Sequence, residues 1–251
     1  MLKIIISPAK KMNIEVDVID WGQLPVFVHV ADQIKEILRA KTYDELKLLW
    51  ACNDKIAAEN IDRLTQMDLT AHLTPALLSY EGLQYQYMAP QTFTFDAWEY
   101  VDKHLRILSG FYGILGPTDG ITPYRLEMGA KFVGGEYRNL YEFWHSRLYE
   151  QLVMDATVIL NLASKEYSKA VEKYVKNIPF VTVDFTEWVV VKEEKVLKIK
   201  ATAAKMARGE MVRYLAEHQV KDLEEVKAFD GLGYAYSETH STANHFVFIK
   251  N

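Results

Sequence analysis

A chain of 251 residues, 49% hydrophobic and 25% charged, has the composition of a globular protein, and at that length roughly 70% of the extended surface can be buried. Thirty-four acidic against 29 basic side chains leave a net charge of −5, so there is no global attraction to a phosphate backbone and any nucleic-acid surface has to be a local patch. The single cysteine, Cys52, excludes an internal disulfide framework, fits a reducing cytoplasm, and leaves no CxxC pair to hold zinc or an iron–sulfur cluster.

Residues 2–6, LKIII, read as an inner strand: short, rich in β-branched residues and unbroken by polar alternation. The run is too short to span a bilayer and has no basic leader before it, which points to a cytoplasmic protein without a membrane partner. It passes directly into Ser7-Pro8-Ala9-Lys10-Lys11. From Val30 to Leu64 the apolar period becomes helical, and Thr42 with Glu45 forms a capping box. Pro75 opens a short helix that Gly82 interrupts, and the spacing of Tyr85 and Tyr87 suggests a strand. "DAWEYVDKHL" predicts a helix capped by Thr94 or Asp96.

Residues 106–135 carry many glycines and two prolines, yet are too rich in Leu, Ile, Phe and Tyr to be disordered. A helix follows Asn139 through "LYEFWHSRLYEQLV", then a buried strand from Thr157 to Leu162 and a helix opened by Ser164. Residues 179–202 read as two strands around a Glu193-Glu194 turn. "AAKMARGEMVRYLAEHQ" predicts a helix with Thr202 as N-cap, and two alternating strands close the chain. No repeat, linker or composition shift divides it, so one α+β domain over residues 1–251 is expected.

Several residues are candidates for chemistry. Lys205 and Arg208 lie near a helix N-terminus, where positive charge opposes the macrodipole. Gly209 beside them weakens the helix or permits a close approach. A bound anion would account for all three; a solvated basic face paired with Glu210 and Glu217 is the alternative. Arg125, two residues from Glu127 in a proline- and glycine-bounded loop, either clamps a phosphate or carboxylate or braces the loop against Glu127 or Glu81. Gly110 and Gly113 suit either a phosphate-gripping hairpin or a strand and tight turn whose glycines serve packing. Asn161 and Ser164 fall at the carboxyl end of a buried strand, where open sheets place functional groups, with Glu166 and Tyr167 close behind; Ser164 could equally be only an N-cap. "GILGPTDG" lacks the Gly-Lys-Ser/Thr end of a P-loop, no GxSxG elbow is present, and His240 and His245 give no zinc pattern.

The segments "SPAKKMN" (7–13), "HLRILSGFYGILGPTDGITPYRLEMG" (104–129), "LYEFW" (140–144), "NLASKEY" (161–167), "KMARGEMVRYL" (205–215) and "FDGLGYAYSE" (229–238) together resemble the peroxide-stress resistance protein YaaA family over essentially the whole chain. The resemblance implies a compact single-domain α+β fold, described as cantaloupe-like, with a mixed β-sheet, surrounding helices, a basic cleft and a helix-hairpin-helix-like element. It implies a DNA-binding protein of the hydrogen peroxide response that limits damage linked to intracellular iron. An enzyme acting on a small phosphorylated or nucleoside-like substrate, or on DNA, is the alternative.

Carried onto this chain, Lys10, Arg106, Gly110, Gly113, Arg125, Lys205 and Arg208 become the DNA- or anion-binding candidates, and Ser7, Glu127, Asn161, Ser164 and Tyr167 line the cleft. Pro8 and Tyr112 also belong to the family motifs. Duplex DNA is the implied partner and a small anionic ligand a further one. The resemblance implies no catalytic residue, metal or cofactor. One departure stands out: the enterobacterial form resembles GVLRPLD, with a basic residue where this chain has Gly116.

Overall fold

The computed structural model describes residues 1–14 and 18–250. Its organising element is the strand Leu2–Ile6, which is buried on every residue because parallel strands flank it on both sides. Ile4 pairs with Leu105 on one side and Leu160 on the other, so neither face offers a place for polar alternation. The sheet runs in the order Tyr234–Tyr236, His245–Lys250, Phe180–Val191, Val158–Asn161, Leu2–Ile6, Leu105–Ser109, Gly113–Leu115. The five inner strands are parallel and both outermost strands antiparallel. Phe180–Val191 outruns its neighbours, and its far half forms a hairpin with Glu194–Lys198, turning at residues 192–193.

The chain first winds from Leu2–Ile6 to Leu105–Ser109 on one side, then returns to place Val158–Asn161 on the other. The winding direction reverses at the first strand. In open parallel sheets such a switch point leaves a crevice beyond the carboxyl ends of the two strands involved.

Helices cover the sheet and begin where local chemistry sets them. Thr42 and Glu45 complete a reciprocal capping box, Asn53 caps Asp54–Gln66, and Thr94, rather than Asp96, caps Phe95–His104. The helix after Asn139 is broken: Leu140–Trp144 ends at His145, whose φ is 47°, and Arg147–Val153 resumes beyond it. Trp144 and Leu148, on either side of the break, are both fully buried.

Three expectations are corrected. Residues 83–88 are helical: Gln84, Tyr85 and Met88 are the buried set, a helical spacing, and the two-residue step from Tyr85 to Tyr87 only imitates a strand. The helix Ala201–Glu217 starts one residue before Thr202 and follows Lys200, with no side-chain cap. The proposed helix-hairpin-helix segment is two strands, Leu105–Ser109 and Gly113–Leu115, around a buried turn. Ser109 Oγ accepts the turn amides of Phe111 and Tyr112 at 3.1 and 2.9 Å, so the N–H groups that would grip a phosphate are already bonded.

Candidate functional site

At the switch point the loops after Leu2–Ile6 and Val158–Asn161 meet through two serines. Ser7 Oγ accepts the backbone N–H of Ser164 at 2.8 Å and donates to Ser164 Oγ at 3.2 Å. The Tyr85 hydroxyl donates to the Ser7 carbonyl at 3.0 Å, fastening the same loop to the helix Leu83–Met88. Lys11–Met12 then pairs antiparallel with Tyr80–Glu81. These contacts frame a cavity of about 520 Å³.

The wall contributed by the helix Ala201–Glu217 depends on Gly209. A Cβ there would stand 2.0 Å from the Gln84 carbonyl oxygen, so only glycine lets this helix lie directly on Leu83–Met88. That contact brings Lys205 and Arg208 to the same cavity as Lys10, Lys11 and Arg125, although they lie nearly 200 positions along the chain from Lys10.

Charge in the cavity is unevenly answered. Lys10 Nζ lies 2.7 Å from Glu127 Oε1, and Lys11 Nζ lies 2.6 Å from Glu81 Oε1. Arg125 is largely buried but loosely held: Glu127 Oε1 is 3.8 Å away, and its two contacts to the Trp50 carbonyl are 3.4 and 3.5 Å. Arg208 and Lys205 have no carboxylate within ion-pair distance among the described residues. Burial pulls the Arg208 guanidinium below its ordinary pKa, and Asp184, itself 2.8 Å from His245, only partly opposes this. Three buried nitrogens have no hydrogen-bond partner among the described residues: Trp50 Nε1, Gln84 Nε2 and Arg208 Nε.

The floor is phenolic. The Tyr80 and Tyr124 hydroxyls are 2.7 Å apart and Tyr124 reaches Ser109 Oγ at 2.6 Å. Burial pushes Tyr124 up to about 12 and Tyr85 and Tyr167 well above the usual tyrosine range, so the floor presents neutral hydroxyls. Glu166 Oε1 accepts the Gly129 amide at 2.8 Å and ties the Arg125 loop to the helix Lys165–Glu172.

Of the residues singled out in the sequence, Ser7, Pro8, Lys10, Glu81, Arg125, Glu127, Ser164, Glu166, Tyr167, Lys205 and Arg208 line this one cavity. The others lie elsewhere. Arg106 faces a separate 110 Å³ cavity beside Gly116 and Asp119, and its Nη1 donates to the Asp102 and Leu105 carbonyls at 2.8 and 2.6 Å. Near the amino end of its strand, it points away from the crevice at the carboxyl ends. Asn161 is buried behind the site, where its Oδ1 accepts the Ala163 amide and its Nδ2 donates to Thr182 Oγ1. Gly110 and Gly113 are packing positions. A Cβ on Gly110 would meet the Leu126 carbonyl at 2.6 Å, and one on Gly113 would meet the Trp144 ring at 2.7 Å. Tyr112 is buried, its hydroxyl accepting the Thr122 amide at 3.2 Å.

Sequence reasoning missed Lys11, Gln84, Tyr85 and Tyr124 as cavity residues. Lys11 and Tyr124 sit inside motifs already singled out. Gln84 gave no local signal, since a glutamine on a short helix ordinarily faces water. Among the described residues no three His, Cys, Asp or Glu side chains gather as a metal-ligand set, and no helix is long and apolar enough to cross a membrane.

The sequence profile described as peroxide stress protein YaaA matches residues 2–240. A UPF0246 protein of Ligilactobacillus salivarius is 50% identical over 253 residues, covering 100% of both chains. One from Desulfitobacterium hafniense is 49% identical over 250 residues, covering 99% of this chain and 98% of its own. One from Agathobacter rectalis is 48% identical, covering 98% of each.

Proposed function

The chain belongs to the peroxide stress protein YaaA family, and from that premise we propose that it serves the oxidative-stress response by binding DNA through the cation-lined cleft at the switch point. The observation that carries this reading is that Lys205 and Arg208 face the cavity with no carboxylate partner among the described residues. A half-buried guanidinium left unanswered inside the fold is balanced by an anion from outside it. A cavity of about 520 Å³ admits a nucleotide-sized group but not a duplex. The duplex body therefore lies across the exposed lysines at the mouth while one phosphate reaches inward. Neutralising phosphates releases their counterions, and the link to iron-dependent damage is indirect, through the DNA that the protein covers.

A second reading is favoured by the placement of the Glu127 carboxylate beside Lys10 in a cavity of small-molecule size. It is an enzyme acting on a small phosphorylated or nucleoside-like substrate, or on DNA.

Fluorescence anisotropy with labelled duplex over a salt series tests the first reading. The expected dissociation constant is about 10⁻⁴ to 10⁻⁶ M, weakening with salt at a log–log slope of about −2 to −4 for a few phosphates contacted. No binding at low salt, or binding indifferent to salt, would overturn it. Turnover of a phosphorylated substrate by a protein without DNA affinity would establish the second reading instead.

A further inference from the structure

Gln84 is 7% exposed, yet its side-chain nitrogen donates to nothing in the described protein. Arg208 Nε shares that condition, and both side chains line the same cavity. A buried donor left unmade is costly, and native folds rarely tolerate it without a reason. Loose packing is not the reason. Gly209 rests directly on the Gln84 carbonyl, so the residue next to Arg208 is locked against the residue that carries the free carboxamide. The unmet side-chain groups are donors without exception, and no orphaned side-chain acceptor accompanies them among the described residues.

We infer that Gln84 and Arg208 form a receptor for a terminal phosphate monoester, carried either by a free nucleotide or by the end of a DNA strand. This rests on the reading of the cleft as an anion site and narrows it. Gln84 brings two N–H bonds from one helix and Arg208 its Nε–H from another, while Lys205 adds a mobile ammonium from the rim. Donors brought to one cavity by separate elements suit a tetrahedral group with three free oxygens better than a planar carboxylate. An internal phosphodiester has only two free oxygens, and its chain must leave on both sides, which suits the exposed mouth. A terminal phosphate brings more charge and needs one exit. Room remains in the cavity for the attached nucleoside, against the neutral hydroxyls of Tyr124 and Tyr167.

The test compares a nucleoside with its 5′-monophosphate by calorimetry, and one duplex with and without 5′-phosphates by anisotropy, for the unaltered protein and Gln84→Glu. The substitution preserves shape but sets a carboxylate where the phosphate would lie. The expected result is that the phosphorylated member of each pair binds at least tenfold tighter to the unaltered protein. Gln84→Glu should reduce that preference to less than twofold at an unchanged unliganded thermal midpoint. Equal binding within each pair by the unaltered protein would overturn the inference whatever the variant does. So would full retention of the preference in a folded Gln84→Glu. Salt-dependent duplex binding that ignores the end phosphate would refute this receptor and leave the DNA-binding cleft intact. Tight monophosphate binding without duplex affinity would do the reverse.

Discussion

Two cations, Lys3 fully buried and Arg208 partly buried, sit at opposite ends of the same sheet, and the fold treats them differently. Lys3, at the amino end, is 2% exposed, and its ammonium is answered on the spot by Asp155 at 2.8 Å and the Lys103 carbonyl at 2.6 Å. Burial lowers its pKa, and the bond to Asp155 works against that shift. Arg208, near the carboxyl ends, has burial pulling its pKa down, only distant help from Asp184, and an Nε with no partner. A cation that the fold neutralises for itself belongs to the architecture. One that it leaves open to a cavity is available to something else.

The largest effect expected from this contrast is alkaline unfolding governed by the cleft end. Tyr124 titrates near 10 when unfolded and near 12 when folded, so the folded state holds its proton longer. Its contribution is fully present below pH 10 and falls as pH rises through that window, by about 1.4 kcal/mol per unit or about 3 kcal/mol by pH 12. Tyr85 and Tyr167 shift in the same direction and steepen the loss. Denaturant titrations between pH 8 and 12 measure this, and a flat stability above pH 10 would remove the neutral floor.

At the amino end, Lys3→Ala should cost about 2–4 kcal/mol through the void and the unpaired Lys103 carbonyl. Because Asp155 is half exposed and returns to water, the loss should stop short of stranding a buried charge. DNA affinity should not change. Any linked loss of affinity in this variant would erase the distinction between the two ends.

Arg125 stands between these cases, since its contacts to Trp50 and Glu127 are long. Arg125→Lys should lose nearly as much DNA affinity as Arg125→Ala, about tenfold, with less than about 1 kcal/mol of stability, because a fork of donors is lost in both. A lysine variant with unchanged affinity and stability would refute the clamp. The smallest effect is expected for Gly116→Arg. It lies by Arg106 and Asp119, outside the cleft, so restoring the basic residue of the enterobacterial pattern should alter DNA affinity by less than about twofold. A gain of tenfold would show that DNA reaches that second cavity.

The features legible in the sequence are those that local physics decides. The capping box at Thr42 and Glu45 needs only four residues, and the unbroken run LKIII can be satisfied only between two neighbours. Gly209 was also readable as a close approach, although nothing nearby could say that Gln84 was the surface approached. The cleft itself joins Ser7 to Ser164 across 157 positions, a distance that only the winding of the sheet closes. Arg106 and the glycines at 110 and 113 show the same limit in reverse, and of the two readings open for the glycines their neighbours fit the packing one. Their motif is dense, but strand direction turns Arg106 away, and Ser109 consumes the amides that the glycines seemed to expose.

The most direct test is a paired measurement on Arg208→Met, with thermal midpoint and DNA affinity taken from the same preparation. Methionine fills similar space and removes a buried charge that the protein does not pair. Stability should therefore stay level or rise by about 1 kcal/mol while DNA affinity falls at least tenfold. A variant that loses several kcal/mol of stability and keeps its affinity for DNA would make Arg208 a structural cation like Lys3 and contradict the assignment of the cleft.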